Sequence, residues 1–507
     1  MTPLAAIGCH CAALKGYLMN RKIAGALVCV LFVALFLPKR LCAQAASSLA
    51  RSVREFVKVD APVIALTHAQ VIDGTGAAAR ADQTIIISRG KIEAIGDAAS
   101  TPVPDGAEVI DLTGKTVIPG LVGMHEHMFY PSGGSSNGRL PVALYNEMGF
   151  SFPRLYLANG VTSLRTTGSI EPYTDLELKK LIDEGQLAGP KIHVTGPYLE
   201  GAGSFTPQMH ELTGPDDARN TVNFWADAGV TSFKAYMHIT RAELSAAIAA
   251  AHKRGIKVTG HLCSVGFKEA AALGIDDLEH GLMVDTEFDP GKTPDVCPSQ
   301  QLTAQTLSKI DVESAPVQET IHDLVAHHVA VTSTIVVFET FVPNEPPLRR
   351  VVIDSLLPED AVDYLSGRTL VAERVNSPWP VLIKKEMQFE RDFVKAGGLL
   401  LAGEDPTGYG GDLAGFGDQR ELELLVQAGF SPEQAIQIYT QNGARFLGEE
   451  NQIGTLAAGK QADIVVIDGD PSKNINDVEK TEIVFKDGVG YDSAKLIESV
   501  RSSVGLH

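Results

Sequence analysis

Six residues in the middle of this chain are of types that bind divalent metals: His125, His127, Lys234, His261, His280 and Asp405. His125 and His127 close the apolar segment VIPGLVGMHEH. Successive side chains on a strand alternate between faces, so two histidines at this spacing point the same way. Two imidazoles side by side at a strand end suit Zn²⁺ or a similar divalent ion, although hydrogen-bonded structural histidines explain an isolated H-x-H equally well. The other four share a type of position: Lys234 lies in VTSFKAY, His261 ends KVTGH, His280 ends DDLEH and Asp405 ends LLLAGED. Each stands at or near the end of a different short apolar segment, which makes the set more specific than any member. Singly, Lys234 reads as a core lysine paired with a carboxylate, His280 as a surface histidine before a turn, and Asp405 as a helix cap before Pro406. Glu126 and Glu404, each next to one of these residues, alternate to the opposite face; Glu126 is read as structural and Glu404 as outside the ligand set.

The segments that must carry these residues begin at Val117, Val161, Lys191, Val230, Lys257, Asp276, Val329 and Leu399. They alternate with helical stretches, which implies a parallel sheet with helical crossovers. Eight such units over this length predict an α/β fold, a (β/α)8 TIM barrel with its site at the C-terminal ends of the strands. An internal echo, NGVTSLRTTG against AGVTSFKAYM, places a Gly before two of the strands. β-rich stretches punctuated by turns lie at both ends of the chain and predict a small β-sandwich domain composed of 61–116 plus 449–490. The barrel is expected over 117–448, with a cap insert at 341–395, a mobile leader at 46–60 and a C-terminal tail at 491–507.

Residues 1–45 contain no Asp or Glu and five basic residues, followed in order by the apolar run IAGALVCVLFVALFL and Ala43-Gln44-Ala45. This order reads as a secretory signal peptide, with Met19 as a candidate true start and a retained anchor helix as the alternative. Export, periplasmic or secreted, is expected, with membrane anchoring if the segment is not cleaved. Loss of that segment takes the formal charge from −19 to −24, an acidic body that argues against nucleic-acid partners and anionic membrane surfaces. Four of the six cysteines fall in the presequence. Cys263 and Cys297 remain and are expected as unpaired thiols, a single bridge between them being the alternative.

PGLVGMHEH followed by strand-end Lys, His, His and Asp resembles the binuclear-metal branch of the amidohydrolase superfamily, in particular its imidazolonepropionase-like and Xaa-Pro-dipeptidase-like members. The resemblance covers nearly all of the chain after residue 60, including GTLAAGKQADIVVID. It implies two divalent metal ions, Zn²⁺ by preference: one held by His125, His127 and Asp405, a second by His261 and His280, with Lys234 bridging both as a carbamate. A lysine ammonium would be repelled by two dications, whereas a carbamate is anionic and offers two oxygens. Two ions sharing a water lower its pKa toward ~7, and the hydroxide would attack a carbonyl with Asp405 as general base. The implied reaction is hydrolysis of a C–N bond in a small amide, dipeptide or N-acyl amino acid; the partner is a small-molecule substrate, and an assembly of identical chains is left open. Tyr236, two residues after Lys234, would contact a substrate carboxylate or fill the barrel. His210 and His238 are further substrate candidates, with surface histidines as the alternative. Glu404 departs from the pattern, since many relatives have Thr before the aspartate. Two alternatives remain. One is a mononuclear deaminase or cyclic-amidine hydrolase of the same superfamily, disfavoured because His261 is followed by LCSVGF with no acid before Glu269. The other is a non-catalytic exported metal-binding barrel.

Overall fold

The computed structural model describes residues 48–131, 143–345, 347–408 and 410–505. The segment read as a signal peptide lies outside the described residues. Eight parallel strands form the frame of the molecule. Three of them, Leu121–Glu126, Val161–Thr166 and Lys191–His193, pair in that order. Five more, Ser232–Ala235, Lys257–Gly260, Asp277–Glu279, Ala330–Ser333 and Leu400–Ala402, pair in chain order. Backbone hydrogen bonds from Gly196 to Ser232 (3.0 Å), Thr231 to Val194 (2.8 Å) and Leu199 to Lys234 (2.9 Å) join the two sets. At the far side the Asp405 amide donates to the His125 carbonyl at 2.9 Å. This is a TIM-barrel-type arrangement. Its strands are buried on both faces, as parallel strands flanked by helices must be. The repeated Gly before VTS has a physical role: Gly160 and Gly229 follow helix ends with φ of 102° and 108°, a left-handed turn that returns the chain into a strand.

The first strand corrects the expectation. Thr116–Pro119 is not part of the parallel set; it pairs antiparallel with Ile464–Ile467 and parallel with Gln70 and Val71. The chain changes sheets at Gly120, where the Gly120 amide bonds to Asp463 and the next amide, of Leu121, bonds to Gly160. A Cβ at Gly120 would collide with Thr162. Pro119-Gly120 therefore divides what reads in sequence as one continuous apolar strand.

Nine strands from the two ends of the chain hydrogen-bond into one mixed sheet. Its core includes Ile64, Leu66, Ile85, Val117, Ile464, Val466 and Phe485. The expected sandwich is thus a single sheet, and it shares one compact unit, Ala43–His507, with the parallel strands. The expected loose ends are also built in. Val57–Val59 pairs with Gly490 and Tyr491, while Leu49, Val53 and Phe56 are buried. In the tail, Leu496, Val500 and Val504 are buried and the Val504 carbonyl accepts from Leu357. The insert 341–395 contains the helices Arg350–Ile353, Pro358–Ala372 and Trp379–Lys395. The last buries Leu382, Met387, Phe389 and Phe393 and leads into strand Leu400–Ala402. Cys263 and Cys297 form a disulfide with Cα atoms 4.9 Å apart, in place of the free thiols expected. The loop after Lys257–Gly260 and the segment before helix Gln300–Leu307 meet there, a proximity that a separation of 34 residues does not reveal.

Candidate active site

All six metal-competent residues converge at the C-terminal ends of the parallel strands. Five are buried and His261 is half-buried. His280 and Asp405 take φ of 69° and 55°, in the left-handed region that non-glycine residues seldom occupy; such backbone strain is concentrated at functional sites. His127, Lys234, His261, His280 and Asp405 line a cavity of about 670 Å³. Donor atoms of His125, His280 and Asp405 lie within 4.8 Å of one another. His127 Nε2 is 3.2 Å from Asp405 Oδ1, and Lys234 Nζ is 3.0 Å from His125 Nε2. The His261 ring lies 4.7 Å from that of His280.

A second layer orients the histidines. His125 Nδ1 is 2.8 Å from Glu279 Oε2, and His280 Nδ1 is 2.7 Å from Thr334 Oγ1. Each contact leaves Nε2 toward the cavity, as metal-binding imidazoles are usually held. Arg165 is fully buried and donates to Glu279 Oε1 at 3.0 Å, to the Met124 carbonyl at 2.5 Å and to Thr259 at 3.0 Å. Tyr156 OH donates to the His127 carbonyl.

Burial lowers the pKa of His127 to about 4 and of His261 to about 3, which leaves both neutral and able to donate a lone pair. Burial also lowers Lys234 to about 8, although Glu279 and Asp405 oppose it. Burial works against ionisation of Asp405, yet His125 and His127 hold its carboxyl well below the usual range. Neutral imidazoles, an ionised carboxylate and oriented Nε2 atoms together fit a divalent ion.

Tyr236 lines the cavity, its ring 4.8 Å from Tyr198 and 5.0 Å from His261. His238 lines it too, with Nδ1 3.3 Å from Glu200. His210 does not line this cavity. It is exposed and lies 3.1 Å from Asp217 at the start of helix Pro215–Ala228, in keeping with the alternative reading of a surface histidine. Six aromatic residues also line the cavity: Phe129, Tyr145, Tyr198, Phe205, Phe338 and Phe341. Sequence reading missed these residues, and it missed Arg165 and Glu279. A charged residue inside the apolar strand VTSLRT and the acid just before His280 were the available signals.

The model of the Amidohydrolase family matches residues 116–345 and 359–489. Among curated proteins, an adenine deaminase 2 of Jannaschia sp. (strain CCS1) is 44% identical over 68 residues, 13% of this chain and 11% of that protein. An imidazolonepropionase of Idiomarina loihiensis (strain ATCC BAA-735 / DSM 15497 / L2-TR) is 39% identical over 86 residues, 16% of this chain and 21% of that protein. The matches thus span about a fifth or less of these relatives' length. Among solved structures, a Xaa-Pro dipeptidase with bound methionine aligns with TM-score 0.62 and 21% identity over 85% of this chain and 100% of that one. Molinate hydrolase aligns with TM-score 0.58 and 16% identity over 86% and 95%. At these identities the two structures show a shared fold.

Proposed function

The chain belongs to the amidohydrolase family, and on that premise we propose that it is a binuclear metal-dependent hydrolase of a C–N bond in a small amide, dipeptide or N-acyl amino acid. The observation that carries this reading is the convergence of His125, His280 and Asp405, with Lys234 Nζ 3.0 Å from His125. His125, His127 and Asp405 would hold one ion, His261 and His280 a second, and Lys234 both, as a carbamate. Burial shifts Lys234 toward the neutral amine, the form that adds CO₂. The ions, when bound, supply a nucleophilic water of pKa near ~7 and an electrophile for the carbonyl oxygen.

The chain's own residues do the rest. The ionised Asp405 carboxylate accepts the proton of the nucleophile and delivers it to the leaving nitrogen. Burial raises the Tyr236 phenol well above its ordinary pKa, so it stays protonated and donates to a substrate carboxylate or carbonyl oxygen. Phe129, Tyr198 and Phe338 exclude bulk water, which strengthens these interactions. We read the two parallel sheets as one eight-stranded barrel and the nine-stranded sheet as its companion domain. Export is supported by Cys263–Cys297, because disulfides persist in oxidising compartments.

A hydrolysis screen over amides, dipeptides, N-acyl amino acids and lactones, with Asp405→Asn as control, tests the reading. Turnover by the wild type, lost in Asp405→Asn with most of the metal retained, is expected. Equal turnover in the variant refutes Asp405 as the base; no turnover by metal-loaded protein across the panel refutes hydrolysis. One tightly bound ion per chain, unaffected by Lys234→Ala, would favour the mononuclear deaminase instead.

A further inference from the structure

We propose that Glu126, Glu404 and Asp418, with Asp412 beside them, form a second cation site behind the active-site cavity, one that takes a hard divalent ion through oxygen ligands alone, Ca²⁺ by size. Strand alternation creates it. His127 and Asp405 line the cavity, whereas their neighbours Glu126 and Glu404 do not. These two meet the first turn of helix Phe416–Ala428, which brings Asp418. The three side chains are fully buried, and one oxygen from each lies within 4.8 Å of the others. Ca²⁺ binds oxygens at about 2.3–2.6 Å, so oxygens on opposite sides of one ion are about 5 Å apart at most, and this triple fits around it.

Asp412 provides an independent pointer. It is 2% exposed, and among the described residues neither of its carboxylate oxygens has a hydrogen-bond partner. Its Oδ1 and Glu404 Oε2 both crowd the position a Gly417 Cβ would occupy, so Asp412 faces the same space, and glycine keeps that space open. Among the described residues no donor meets hydrogen-bond geometry at either oxygen of Glu126 or at Oε1 of Glu404. Donors that reach the group include the Asp418 amide to Glu404 (3.0 Å), the Gly415 amide to Asp418 (3.0 Å) and Tyr439 OH to Asp418 (2.9 Å), with Tyr156 beside Glu126 and Asp418 within reach of both Glu126 and Glu404. Among the described residues no ion pair involves any of the four acids. A buried carboxylate without a partner is costly. One dication offsets two negative charges at once and occupies the lone pairs that the backbone leaves open. Glu404 supplies one of the three core ligands. The site is independent of the catalytic reading, since it shares no ligand with the cavity.

The test counts metals in full-length protein loaded with Zn²⁺, then equilibrated with or without added Ca²⁺ or Mg²⁺, by elemental analysis and equilibrium dialysis with radioactive calcium. One additional equivalent of Ca²⁺, with a melting temperature several degrees higher in its presence, is expected. Glu404→Gln should lose that equivalent and its thermal effect while keeping the cavity metals. If Glu404→Gln does not fold, Asp412→Asn decides, with at least tenfold weaker Ca²⁺ binding expected. Uptake of Mg²⁺ in place of Ca²⁺ overturns the assignment by size. Folded wild-type protein that takes up neither ion, or Glu404→Gln with an unchanged metal count and equal or higher melting temperature, overturns the site and leaves protons as the neutralising charge.

Discussion

Replacing Glu279 by Gln separates orientation of a metal ligand from stability of the fold. Glu279 meets His125 Nδ1 at 2.8 Å on one oxygen and Arg165 at 3.0 Å on the other, with all three side chains essentially inaccessible. Burial disfavours its charge, but His125 and Arg165 together hold it well below the usual carboxylate range. Gln removes the charge and keeps the shape. Breaking one member of a buried ion pair costs about 3–5 kcal/mol. Arg165 retains Asp277 at 3.5 Å and the Met124 and Thr259 oxygens, which places the loss near the lower end, about 3 kcal/mol. His125 loses the partner that fixes its tautomer, and a change in such a partner weakens metal binding by roughly 10–100-fold, or about 1.4–2.7 kcal/mol. Urea denaturation reads the first quantity and chelator competition the second. Adding Arg165→Met removes the uncompensated guanidinium, so the double variant should recover part of the stability and none of the metal affinity. Folded Glu279→Gln that binds metal within a factor of about two of wild type would refute the orienting role.

Three further outcomes concern the disulfide, Glu421 and Tyr236. Reducing the Cys263–Cys297 disulfide, or Cys297→Ser, should cost about 3–4 kcal/mol for a loop of 34 residues and raise KM, since Cys297, Pro298 and Ser299 line the cavity; an unchanged denaturation midpoint and KM would sink this. Burial raises Glu421, which accepts from Ser333 and the Val336 amide, to about 7 from an ordinary 4.5. Its folded state holds the proton more tightly, so its contribution is complete below about pH 4.5 and is lost as pH rises through 7, by about 3 kcal/mol. Glu421→Gln should flatten that part of the pH–stability curve in thermal melts. Tyr236→Phe should leave folding intact and lower kcat/KM by roughly 10–100-fold, the loss of one hydrogen bond to a charged group; unchanged kinetics would make Tyr236 a filler of the barrel.

The sequence alone was enough to place most of the parallel strands, because period and β-branching are local properties: seven strand starts fall within two residues of those observed, and the eighth, at Val117, belongs to the other sheet. The same locality exposed the metal-competent residues, since each sits at a strand end and alternation sets the face it presents. What the sequence could not settle depends on which distant segments touch. The division at Pro119-Gly120 needed the return of Ile464–Ile467 to the neighbouring sheet. The disulfide needed two loops to meet, and His210 needed the position of its helix relative to the cavity. Arg165 and Glu279 looked like ordinary polar residues in apolar strands until the packing of the strands placed them against each other and against His125. Glu126 and Glu404 show the division most sharply: alternation correctly turned both away from the cavity, but only the tertiary structure supplied Asp418 and Asp412, because side-chain direction is set by the local backbone and company by the packing of distant elements.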